Sequence, residues 1–131
     1  MNVRILIVDD DRDHAESIAD VLAARDCEVE LAFSGEDGVA KFGQTPFEIV
    51  FMDVRLPGMN GVEAFFACKS ISPHANIMLM TGYSLEQLVN RALAGGALGV
   101  LRKPFAMDQL LDVVTKMTPN ESGCTPSVKA S

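Results

Sequence analysis

Ile5-Leu6-Ile7-Val8-Asp9-Asp10-Asp11 sets four consecutive apolar residues directly before three acids. An unbroken apolar run suits a strand buried on both faces, and such strands belong to parallel sheets covered by helices. Three further runs share the pattern: Ile49-Val50-Phe51-Met52, Ile77-Met78-Leu79-Met80 and Leu98-Gly99-Val100-Leu101. Glu28-Val29-Glu30-Leu31-Ala32 alternates instead, which predicts an edge strand.

Helical periodicity fills the gaps between these runs. Ala15, Ile18, Ala19 and Leu22 follow i, i+3, i+4, i+7, as do Leu85, Leu88, Val89 and Ala92, and Met107, Leu110, Leu111 and Val114. Val62, Phe65 and Phe66 make a shorter stripe, too wide to bury both rings. Asn60 and Ser84 stand at N-cap positions, Gly95-Gly96 ends the fourth helix, and Thr45-Pro46 closes a short second helix after Gly35. A β-α unit repeated five times predicts a doubly wound α/β sheet with right-handed crossovers. The domain is expected over residues 1–117, with 118–131 a flexible polar tail or linker.

The chain has 131 residues, 48% of them hydrophobic, enough for one domain that folds without a disulfide or metal staple. No apolar run approaches the roughly 18–20 residues of a membrane helix, and no signal peptide precedes the first strand. A cytoplasmic location without membrane attachment is expected. Net charge is −7, and residues 1–65 hold fourteen acids against five bases. That balance lacks the basic footprint of direct nucleic-acid binding and suits a divalent cation or a basic partner. Cys27, Cys68 and Cys124, odd in number and far apart, read as reduced thiols.

The polar residues that interrupt the pattern converge. Asp9 and Asp10 follow the first strand, Asp53 the third, Thr81 the fourth and Lys103 the fifth. In a parallel sheet these strand ends share one rim, where open α/β sheets bind ligands. Two carboxylates about 4 Å apart repel by roughly 4 kcal/mol at an effective dielectric near 20, so such a cluster calls for a cation. Oxygen-only donors favour a hard ion, Mg²⁺ with Mn²⁺ as a substitute. Carboxylates, cation, lysine and hydroxyl around one space describe a site for a phosphoryl group.

These pieces resemble the receiver domains of two-component response regulators over residues 3–117. The resemblance rests on Ile5 to Asp11, on Phe51-Met52-Asp53-Val54-Arg55-Leu56-Pro57-Gly58-Met59-Asn60-Gly61, on Met80-Thr81-Gly82 and on Lys103-Pro104-Phe105. It implies a flavodoxin-like five-stranded parallel sheet in the order 2-1-3-4-5. It implies Asp53 as phosphoacceptor, Thr81 and Lys103 as contacts to the phosphoryl oxygens, and Mg²⁺ held by Asp9, Asp10, Asp53 and the Arg55 backbone carbonyl. Asp10 would be the more direct ligand of the first two. It further implies a cis Lys103–Pro104 peptide, a sensor histidine kinase or phosphotransfer protein as donor, and a downstream effector. Homodimerisation is open to such domains. A signalling role with slow self-dephosphorylation follows, its rate set by the side chains of Arg55 and Tyr83.

Receivers carry Tyr or Phe three residues before the lysine, as a ring that turns inward on phosphorylation; here the position is Val100. The readout is therefore expected to rely on Gly82-Tyr83-Ser84. A degenerate receiver serving only as an interaction module is one alternative. The other is a haloacid-dehalogenase-type phosphatase, but its D-x-D-x-[T/V] signature is unmet, since Val54-Arg55 follows Asp53. An EF-hand reading of Asp9-x-Asp11-x-Asp13 fails because His14 takes the glycine position and Asp20 the glutamate position. His14 and His74 read as surface or helix residues, Asp11 as a helix start and Arg102 as a surface charge.

Overall fold

The computed structural model describes residues 3–82 and 85–117. Tyr83, Ser84, Cys124 and the predicted tail at 118–131 lie outside the described residues. Strands β1 (Val3–Val8), β2 (Cys27–Ala32), β3 (Ile49–Asp53), β4 (Ile77–Thr81) and β5 (Gly99–Arg102) alternate with five helices. These are α1 (Arg12–Ala23), α2 (Gly35–Gln44), α3 (Gly61–Ile71), α4 (Glu86–Ala94) and α5 (Met107–Met117). All pairings are parallel and the order is β2-β1-β3-β4-β5.

Alternate residues of each apolar run go to opposite faces. Leu6, Val8, Val50, Met52, Ile77 and Leu79 meet Phe42, Val62, Phe65, Cys68 and Val89 from α2, α3 and α4. Ile5, Ile7, Ile49, Phe51, Met78 and Met80 meet Ala15, Ile18, Leu22, Leu110 and Val114 from α1 and α5. Burial on both faces explains why the central strands show no polar alternation. The alternating β2 does lie at an edge, where Lys41 Nζ donates to the Leu31 carbonyl. Phe65 is fully buried while Phe66 is 36% exposed, as the width of their stripe requires.

Four boundaries differ from the sequence expectation. Asp53 and Thr81 are the last residues of β3 and β4, not the first beyond them. The fifth strand is shifted by one residue, because Met78↔Gly99 through Thr81↔Arg102 sets the register. Leu98, whose amide bonds the Ile77 carbonyl, stays outside the strand and 37% exposed. At α4 the N-cap is Leu85, with no side-chain cap bond.

Candidate functional site

β3 ends in Asp53, and the loop after it is turned back by a capping box. Asn60 accepts from the Val62 and Glu63 amides while Glu63 accepts from the Asn60 amide. Gly61 closes that loop directly over the strand end, where a Cβ would fall 1.9 Å from the Asp53 carbonyl oxygen. Only glycine permits so near an approach. On β1 the same rim begins with Asp9, fully buried, followed by exposed Asp10. Asp11 caps α1 by accepting from the His14 amide.

Asp9, Asp10, Asp11, Asp53, Arg55, Gly82 and Lys103 line one cleft of about 360 Å³. Lys103 Nζ lies 2.9 Å from Asp53 Oδ2 and 3.1 Å from Asp9 Oδ2. The Arg55 amide donates to Asp53 Oδ1 at 3.1 Å. The Lys103–Pro104 peptide bond is cis, and the Lys103 amide bonds the Thr81 carbonyl at 2.8 Å. Thr81 is buried at the end of β4 beside the cleft, not among the residues that line it. Arg102 points to solvent and pairs with Glu86 at 3.3 Å.

Burial drives the Asp53 carboxyl up to about 6, although the Lys103 ammonium pulls it down; the neighbouring Asp9 charge adds to the rise. Burial pushes Asp9 the same way, but hydrogen bonds from His14, the Asp11 amide and Lys103 outweigh it and leave Asp9 below its ordinary range. Burial also works against the Lys103 ammonium, and the two carboxylates overcome it, raising its pKa. Of the two buried carboxylates, Asp9 is thus the settled anion and Asp53 the less compensated one.

Carboxylate oxygens of Asp9, Asp10 and Asp53 lie within 4.8 Å of one another. Among the described residues no hydrogen bond or ion pair engages the Asp10 carboxylate. An all-oxygen set with one free, solvent-facing carboxylate fits a hard divalent cation that keeps part of its water.

One contact escaped the sequence reading. His14 Nδ1 sits 2.7 Å from Asp9 Oδ2, and its ring meets Phe105 edge-on with centroids 5.6 Å apart. The sequence around His14 offers no clustered His or Cys partners that would mark it as a ligand. The usable signal was its distance from the cap. With Asp11 as N-cap, His14 is the third helical residue, and helical side chains tilt toward the N-terminus, back onto the end of β1.

Compared with known protein families, residues 5–115 match the response regulator receiver domain. The chain belongs to this family. A response regulator receiver protein of Anaeromyxobacter sp. is 36% identical over 110 residues, which are 84% of this chain and 46% of that protein. The transcriptional regulatory protein ZraR of Salmonella typhimurium is 34% identical over 87% of this chain and 26% of its own length. The chain therefore spans less than half the length of these curated relatives. The CheY-like receiver domain protein of Methanospirillum hungatei superposes with a TM-score of 0.85 at 30% identity, covering 88% of this chain and 93% of that one. Accepting a phosphoryl group is the general function of receiver domains, and the 2-1-3-4-5 parallel sheet is the receiver fold. Among the described residues no helix is long and apolar enough to cross a membrane.

Proposed function

We propose that Asp53 is the phosphoacceptor of this receiver and that residues 1–117 act as one phosphorylation-responsive unit. The observation that carries this is the Lys103 ammonium held 2.9 Å from the Asp53 carboxylate inside an acid-lined cleft. A carboxylate oxygen of Asp53 forms a bond to the phosphorus of a phosphohistidine on a sensor kinase or phosphotransfer protein. The P–N bond breaks, and the leaving imidazole keeps the electron pair and takes up a proton. Asp9, Asp10, Asp53 and the Arg55 carbonyl hold Mg²⁺, with Asp10 the more direct of the first pair. Bound there, the ion supplies positive charge to the phosphoryl oxygens and to the acids around them.

Lys103 contributes a further positive charge beside the Asp53 carboxylate. Thr81, buried beside the cleft, turns its hydroxyl toward the phosphoryl group once that group is in place. Val100 is only half-buried and packs against the α2–α4 side of the sheet, so the output depends on the β4–α4 loop and not on an aromatic ring. Downstream, a separate effector domain or protein reads that change. The chain acts as a signalling acceptor whose own catalysis is limited to slow loss of the phosphoryl group.

Reduction of the phosphorylated chain with borohydride followed by peptide mapping tests the acceptor assignment. An aspartyl phosphate at position 53 is recovered as homoserine in the peptide that contains Asp53. Homoserine at any other aspartate assigns the chemistry elsewhere.

A further inference from the structure

The Asp9 carboxylate is already heavily engaged by the protein. Oδ1 accepts from the Asp11 amide at 3.0 Å, and Oδ2 accepts both Lys103 Nζ at 3.1 Å and His14 Nδ1 at 2.7 Å. Of these donors, the amide comes with the turn and the lysine with the phosphoryl site. His14 is the one contributed by a helix side chain. Its ring is fixed at two points, by Asp9 on one side and by the edge of Phe105 on the other. Phe105 belongs to the same loop as Lys103, so His14 ties the start of α1 to that loop.

We propose that His14 is a positioning residue that weakens the site's hold on its divalent cation. Donating from Nδ1, it keeps Asp9 Oδ2 engaged within the protein and leaves Asp10 the more direct ligand of that pair. The inference rests on the Mg²⁺ reading above. The donor stabilises the Asp9 charge when no cation is present, and part of that stabilisation is surrendered when a cation draws on the same charge. Removing the donor therefore raises cation affinity. A hydrogen bond to a carboxylate that merely packed a helix end would have no such effect on metal binding.

Calorimetric titration with MgCl₂ at one fixed pH, on the phosphate-free chain, separates these cases. His14→Phe keeps a ring against Phe105 and removes the donor. His14→Leu removes both. His14→Asn places an amide N–H where Nδ1 stood. The dissociation constant for Mg²⁺ is expected to fall about threefold to tenfold in the Phe and Leu variants, and to stay within about twofold of wild type in the Asn variant. A folded donorless variant that binds Mg²⁺ no tighter than wild type overturns the role of His14, as does an Asn variant shifted as far as the Phe variant. Wild-type chain that binds no Mg²⁺ at all overturns the metal reading and this inference with it.

Discussion

Lys103 and Asp53, fifty positions apart in sequence, meet at 2.9 Å, and the same ammonium lies 3.1 Å from Asp9. One cation therefore compensates two carboxylates that are both nearly inaccessible to water. The loop from β5 is in this sense part of the site that β1 and β3 begin.

Replacing Lys103 by Met leaves those carboxylates facing each other. Breaking a buried pair by removing one partner typically costs roughly 3–5 kcal/mol, and partial exposure of the lysine moves the expectation toward the lower end of that range. Urea unfolding in EDTA should show this loss, and added Mg²⁺ should stabilise the variant more than wild type. Equal stability of the two proteins in EDTA would mean that Lys103 compensates neither acid.

Asp53 makes folding stability depend on pH in a defined direction. Its folded-state pKa of about 6 lies above the unfolded value of 3.8, so between those values the folded chain binds the extra proton. Stability from this group is present below about pH 4 and is lost as pH rises through 6, a change on the order of 2–3 kcal/mol. Asp53→Asn removes the dependence, and in EDTA at pH 8 it should be more stable than wild type by a similar amount. Melting curves of both proteins from pH 4 to 8 check this; an Asn variant less stable at pH 8 contradicts it.

Gly61→Ala should be among the most damaging single-methyl changes in the chain. The added carbon would fall 1.9 Å from the Asp53 carbonyl oxygen and 2.7 Å from the Val54 Cα, both backbone atoms with little room to give. A loss of about 3 kcal/mol is expected, with slower phosphorylation because the acceptor strand end must shift. By contrast, Asn60→Ala removes the capping box and should cost about 1 kcal/mol. Thermal unfolding of the two variants side by side measures the difference.

The strands were legible because burial on both faces leaves short apolar runs without polar alternation, as in Ile5 to Val8 and Ile49 to Met52, set between segments of helical period. Asp9, Asp10, Asp53 and Lys103 were legible because polar residues at the ends of such runs must gather at one rim. The exact strand ends were not, since parallel pairing takes in whatever residue comes next, and so Asp53 and Thr81 became part of the ladder. The His14 contact was hidden for a different reason. It crosses the turn from β1 to α1 and depends on the tilt of the His14 side chain back toward Asp9, which residue spacing alone does not display.

Asp10 presents the free, exposed carboxylate of the group. Asp10→Asn should abolish most of the thermal stabilisation by Mg²⁺ while changing the melting temperature in EDTA little. A ligand at about one hundred times its dissociation constant stabilises by about 2.7 kcal/mol, so the wild-type shift is readily measured. An undiminished Mg²⁺ shift in the variant would remove Asp10 from the ligand set.

The central claim is that Asp53 accepts a phosphoryl group with the help of a divalent cation. Intact mass after incubation with acetyl phosphate and Mg²⁺ tests it most directly, with Asp53→Asn and EDTA as controls. The account predicts one hydroxylamine-labile phosphoryl adduct on the wild-type chain, absent from both controls. An adduct of the same extent on Asp53→Asn, or none on the wild type even when the reaction is quenched early and repeated with a phosphohistidine donor, would contradict it.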